Sequence, residues 1–121
     1  MKKILIVDDQ VEIRKLVEVT LGSGGYQIFQ AESGEEAIEI ARAEKPHLII
    51  MDIIMPEGID GITATHILKN DPETKQSTIL MLTGRDQEAD REMGLQAGAD
   101  GYFVKPFSPL ELIKKVEEVL G

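Results

Sequence analysis

Five short apolar runs, at residues 4–7, 26–30, 48–51, 78–82 and 101–104, alternate with stretches that carry a helical period. Each run has strand length. Residues 4–7 and 48–51 are apolar almost throughout, as in central parallel strands covered on both faces. Between them, Ile13, Leu16, Val17, Thr20 and Leu21 form one helical face. Ala37, Ile38 and Ala41 form a second, Gly61, Ala64, Thr65 and Leu68 a third, and Leu112, Ile113, Val116, Val119 and Leu120 the last. Residues 87–97 are weaker, with Ala89, Met93 and Ala97 on one side and Gly94 inside. An interior glycine costs a helix about 1 kcal/mol, so this fourth helix is expected to be the least rigid. The pattern predicts an α/β protein of (βα)₅ type. Right-handed crossovers make it a doubly wound parallel sheet, with ligands beyond the carboxyl ends of the strands.

Helix start signals agree. Asp9-x-x-Glu12, Ser33-x-x-Glu36 and Ser108-x-x-Glu111 read as capping boxes, the last with Pro109 at the first helical position. Gly98 is placed to close the fourth helix in a left-handed conformation. No linker, repeat or biased segment interrupts the 121 residues, so 1–121 reads as one domain with no output domain.

With 42% hydrophobic and 29% charged residues, disordered and low-complexity classes are excluded. Asp and Glu number 22 against 13 Lys and Arg, a net charge of −9. Such a chain repels phosphate backbones and anionic lipid, and its basic clusters stop at the pairs Lys2-Lys3 and Lys114-Lys115. Neither a nucleic acid nor a membrane is expected as a partner. The absence of cysteine excludes disulfides and thiolate metal sites. Four apolar residues after Lys3 are too few for a signal peptide, which points to a cytoplasmic protein.

The polar residues that carry chemistry fall at the strand ends. Asp8 and Asp9 follow the first run, Asp52 the third, Thr83 the fourth and Lys105 the fifth. Three carboxylates in one place repel, so one pKa rises or a cation binds. A hard ion such as Mg²⁺ suits oxygen ligands and tolerates a shell completed by water and phosphate. Lys105 adds an ammonium and Thr83 a hydroxyl, with room beside it at Gly84. The set lacks a His or Ser general-base arrangement but suits phosphoryl transfer, in which a carboxylate is itself a nucleophile. Taken singly, each has an ordinary reading. Asp9 is also a helix N-cap candidate, Asp52 a turn residue, Thr83 a strand end and Lys105 a solvated loop lysine. Complementary groups at all four strand ends make coincidence a poor account.

Together the stretches Ile4-Leu-Ile-Val-Asp-Asp9, Met51-Asp-Ile-Ile-Met-Pro56, Asp60-Gly61, Leu82-Thr-Gly84 and Lys105-Pro-Phe107 span nearly the whole chain. In this order they resemble the CheY-like receiver domain of two-component response regulators. The resemblance implies strand order 2-1-3-4-5 and a phosphoacceptor at Asp52, served by a sensor histidine kinase or a histidine phosphotransfer protein. It implies Mg²⁺ held by Asp8, Asp9, Asp52 and the backbone carbonyl of Ile54, with Thr83 and Lys105 on the phosphoryl oxygens. A cis peptide before Pro106 would aim Lys105 inward. Chemistry of this kind is self-catalysed phosphorylation and dephosphorylation, not an enzyme turning over an external substrate.

The resemblance also implies a switch. Thr83 moves toward the phosphoryl group and Tyr102 swings inward behind it, remodelling the face of the fourth helix, fifth strand and fifth helix where a downstream protein docks. The alternative for Tyr102 is a half-buried strand aromatic. A monomer is expected, with a phosphorylation-dependent dimer through that face as the alternative. One departure stands out: the family's Pro-x-Met-Asp-Gly is here Pro56-Glu-Gly-Ile-Asp-Gly61, one residue longer. Ile54 and Arg85 are expected to flank the phosphoryl group, with bulky Ile54 hindering the attacking water. His47 and His66 lack a second ligand at metal spacing and read as structural or surface residues.

Other readings fit less well. An aspartate-nucleophile phosphatase resembles Asp-x-Asp after the first strand, whereas here the acids are adjacent and Gln10 stands in the second position. A flavodoxin-like flavin carrier needs a Ser/Thr/Gly-rich phosphate loop where Asp8 and Asp9 would repel the phosphate. A degenerate receiver acting only as an interaction module is opposed by the complete acidic set with Thr83 and Lys105.

Overall fold

In the computed structural model, which describes residues 1–121, neighbouring residues of one strand serve different cores. Leu5 and Val7 of β1 (Lys3–Val7) face one side of the sheet, and Ile4 and Ile6 the other. The same division recurs in β3 (Leu48–Asp52) and β4 (Thr78–Thr83). Ile49, Met51, Ile79 and Met81 join the first side, and Leu48, Ile50, Leu80 and Leu82 the second. Side chains alternate across a pleated strand, so an unbroken apolar run is what a sheet covered on both faces requires.

The helices complete the two layers. α2 (Gly34–Glu44) and α3 (Gly61–Lys69) cover the first face with Ala37, Ile38, Ala41, Ala64 and Leu68. On the second face lie α1 (Val11–Gly22) and α5 (Pro109–Leu120), contributing Val17, Leu21, Leu112 and Val116. With β2 (Gln27–Ala31), α4 (Glu88–Gln96) and β5 (Gly101–Val104), the chain is five strands alternating with five helices, all strands parallel, in the order β2-β1-β3-β4-β5. The predicted fold class and strand order are therefore observed. No helix is long and apolar enough to cross a membrane.

The caps hold two corrections. At α5 the box is complete: Glu111 N–H donates to Ser108 Oγ at 3.1 Å, and Ser108 N–H donates to Glu111 Oε1 at 3.2 Å. At α2, Ser33 Oγ caps Glu36 N–H, but Glu36 Oε1 reaches back to Glu32 N–H, one residue before the box position. At α1 the expected Asp9 cap does not form. Gln10 is the N-cap residue, and Asp8 Oδ1 takes the Gln10 N–H at 2.9 Å. An aspartate binding the amide two residues on is local turn chemistry that removes Asp9 from capping.

α4 is the other departure. Ala89 and Met93, expected on its inner side, are exposed, and Gly94 is its one buried residue. The helix meets β4 with its backbone: an added Cβ at Gly94 would overlap the thioether of Met81. Contact at that distance leaves no place for an apolar stripe. Gly98 does close the helix, with φ of +117°.

The longer loop before α3 is taken up against α2. Ile59 N–H donates to Glu35 Oε2 at 3.1 Å, Gly58 turns with φ of +75° beside that carboxylate, and the Ile59 side chain lies over Gly34. Asp60 Oδ1 then caps Thr63 N–H at 2.7 Å to start α3.

Candidate functional site

Parallel register brings the strand ends level. Val7 pairs with Met51 and Met51 with Met81, so the residues that follow, Asp8, Asp52 and Leu82–Thr83, emerge at one edge of the sheet. Asp8 is fully buried and Asp52 nearly so, whereas Asp9 is exposed. One oxygen from each of Asp8, Asp9 and Asp52 lies within 4.8 Å of the others. That cluster is compact enough for one divalent ion, and its donors are all hard carboxylate oxygens.

Lys105 reaches the cluster from the far side. Its N–H donates to Thr83 O at 2.7 Å, extending the β4–β5 ladder, and the Lys105–Pro106 peptide is cis. Lys105 Nζ lies 3.0 Å from Asp8 Oδ2 and 3.4 Å from Asp52 Oδ1. The contact with Asp8 is an ion pair without hydrogen-bond alignment, since Oδ2 is a buried oxygen that accepts no hydrogen bond.

Burial, and next the Asp8 charge, push the Asp52 carboxyl up from 3.8 to about 6, against the opposing pull of Lys105. Burial disfavours the charge on Lys105, but the Asp8 and Asp52 carboxylates outweigh it and hold its pKa above the lysine range. The site therefore carries more negative charge than its one ammonium balances. A divalent cation would relieve that excess.

Thr83 is fully buried, and its Oγ1 has no hydrogen-bond partner. A buried hydroxyl left unpaired costs about 1–3 kcal/mol, and this one is free to donate to an acceptor brought beside it. A cleft of about 320 Å³ at this edge is lined by Asp9, Gln10, Asp52, Ile54, Pro56, Gln87 and Lys105. Ile54 is half exposed there, two residues past Asp52.

Arg85 does not line the cleft; Gln87 does. Its Oε1 accepts the Gly84 N–H at 2.6 Å, which turns the side chain inward, while Arg85 is exposed. Nothing in the order of residues 84–87 distinguishes the inward amide from the outward guanidinium.

Tyr102 is 39% exposed on the edge strand β5, with the Arg91 guanidinium 5.1 Å from its ring centroid. Its ring thus faces outward, held under α4. His47 Nδ1 accepts Lys3 N–H at 3.1 Å, and His66 is exposed on α3. Neither belongs to the acidic group.

The family model of the response regulator receiver domain matches residues 4–117. The chain belongs to that family. Over 119 residues it is 43% identical to the alkaline phosphatase synthesis transcriptional regulatory protein PhoP of Bacillus subtilis, covering 98% of this chain and 48% of the relative. It is 41% identical to the phosphate regulon transcriptional regulatory protein PhoB of Pseudomonas aeruginosa, covering 98% and 52%. The chain thus spans about half the length of the curated relatives it matches. Among solved structures, the chemotaxis response regulator CheY4 of Vibrio cholerae superposes with a TM-score of 0.91 at 35% identity, covering 98% of both chains. As a receiver domain, this chain carries the receiver module of two-component response regulators.

Proposed function

We propose that this receiver domain is a phosphoacceptor switch in which Asp52 takes a phosphoryl group from a histidine kinase or a histidine phosphotransfer protein. The observation that carries the reading is Asp52 beside Lys105 in the cleft, with the unpaired Thr83 hydroxyl buried at the same edge of the sheet.

An Asp52 carboxylate oxygen attacks the phosphorus of a phosphohistidine. The new O–P bond forms as the P–N bond breaks, and the departing imidazole nitrogen keeps the electron pair and takes a proton from solvent. Lys105 offsets the charge on the acceptor and then on the phosphoryl oxygens. Thr83 Oγ1 gains the acceptor it lacks. Asp8, Asp9, Asp52 and the carbonyl of Ile54 would hold Mg²⁺, which supplies charge neutralisation at the transferring group. Ile54 limits the approach of water, which sets the lifetime of the acyl phosphate. Positioning and electrostatics account for the transfer, with no general base required.

The output lies on α4, β5 and α5. Thr83 moving toward the phosphoryl group vacates space behind it, and Tyr102 leaves Arg91 and turns inward. α4, with a single buried residue, is the element that gives way, since switching segments are drawn from regions of low local stability. The remodelled face engages a downstream protein or a second copy of the domain.

Intact mass after incubation with acetyl phosphate, with and without Mg²⁺, tests the chemistry. A Mg²⁺-dependent gain of one phosphoryl group in the wild type, absent in Asp52→Ala, is expected. No adduct in a protein that binds Mg²⁺ would leave it a docking module only.

A further inference from the structure

Asp8 is held at four points. Its N–H donates to Ala31 O at 3.1 Å, its Oδ1 accepts from Gln10 N–H at 2.9 Å, and its Oδ2 faces Lys105. The fourth is its backbone carbonyl, which accepts from Arg14 Nη1 at 2.7 Å. Arg14 lies in the first turns of α1 with a side chain only 12% exposed. Its remaining nitrogens are also directed: Nε donates to Gln30 Oε1 at 3.1 Å, and Nη2 faces Glu32 Oε2 at 4.0 Å. Gln30 Nε2 donates in turn to Glu18 Oε2 at 2.7 Å, so α1 and β2 together fix the guanidinium.

The Asp8 carbonyl and the Asp9 N–H belong to one planar peptide. Holding that oxygen fixes the plane from which Asp9 departs. Asp9 needs such a hold more than its partners, because it alone among the three carboxylates is exposed and has no burial to restrain it.

We infer that Arg14 is a positioning residue that acts through the Asp8–Asp9 peptide to make the acidic group fit a divalent cation. The inference rests on the metal reading above. It separates cleanly from a simple charge effect, because the two have opposite signs. A cation near three carboxylates repels an incoming metal ion, so as a charge alone Arg14 would weaken binding, and a neutral residue there would tighten it. As a positioner it strengthens binding, and its loss weakens it. Lysine retains the charge but not the fork that reaches Asp8 and Gln30 at once.

The test is calorimetric titration of the full chain with Mg²⁺ alone, for wild type, Arg14→Met, Arg14→Lys and Gln30→Ala, beside the metal-free Tm of each. Partners that orient metal ligands are worth about 10–100-fold in affinity; acting through backbone, Arg14→Met is expected to raise the Kd about 5–20-fold. Arg14→Lys and Gln30→Ala should fall between it and the wild type. Unchanged or tighter binding by Arg14→Met overturns the inference, even if its Tm drops, since a merely structural role would move only the Tm. If Arg14→Met does not fold, Gln30→Ala decides: a wild-type Kd there overturns it. A wild type that binds no Mg²⁺ overturns the metal reading and this inference with it.

Discussion

Gly61, the first residue of α3, lies against the backbone carbonyl oxygen of Asp52, with no room for a Cβ between them. Its N–H donates to Ile53 O at 2.9 Å, so the start of the helix is bonded to the Ile53–Ile54 peptide, one residue beyond Asp52. Backbone cannot rotate aside as a side chain can. Gly61→Ala is therefore expected to destabilise by about 1–3 kcal/mol and to slow Asp52 phosphorylation. Gly94→Ala meets the flexible end of Met81 instead and gains about 1 kcal/mol of helix propensity, so it should cost less. Urea melts of the two variants check the order; equal losses would mean that the nature of the neighbour does not matter.

The raised pKa of Asp52 makes stability depend on pH with a definite sign. With a folded value of about 6 against 3.8, the native state holds this proton more tightly than the unfolded chain. Below about pH 4 both states are protonated and nothing is lost; stability then falls as pH rises through 6. Asp52→Asn should stabilise the metal-free protein at pH 7 by roughly 1–2 kcal/mol, after allowance for solvent screening, and not at pH 4. Thermal melts at the two pH values measure this. An equal gain at both would assign the effect to something other than ionisation.

Mg²⁺ should reverse that penalty. At about 100 times its Kd, a ligand bound only by the native state adds about 2.7 kcal/mol, read as a rise in Tm. The rise is expected to be largely lost in Asp9→Asn, since Asp9 is the cluster's exposed carboxylate and contributes little to the fold. A full Mg²⁺ response in Asp9→Asn would place the ion elsewhere.

Ile54 lines the cleft with Asp52, Gln87 and Lys105. Ile54→Asn replaces an apolar screen with a group that binds water, and should speed loss of the phosphoryl group about tenfold, or ~1.4 kcal/mol of barrier. A mass time course after removal of acetyl phosphate follows it. A rate equal to or below that of the wild type would remove Ile54 from control of the lifetime.

Much of this was legible in the chain alone because it is local. Residues 48–51 announce a strand covered on both faces through unbroken apolarity, and β3 extends that run by one residue, to Asp52. Ser108, Pro109 and Glu111 specify their own cap, since every partner lies within one helical turn. Asp8, Asp9, Asp52, Thr83 and Lys105 stood out because a strand end is a position along the sequence, and parallel register carries such positions to one edge.

What the sequence could not settle depends on distances between elements. Asp8 rather than Asp9 binds the first free amide of α1, and only the buried placement of Asp8 shows why. Ala89 and Met93 have the spacing of an inner face, yet α4 rests on the sheet through Gly94, so they remain outside. Gln87 turns in and Arg85 out, and Arg14 reaches the carbonyl of Asp8, by geometry that no periodicity encodes. Elements and their ends follow from hydrophobic period and turn chemistry, which act over a few residues. The partner of each polar group is selected by packing among distant segments, and that selection exists only once the sheet and its two layers have formed.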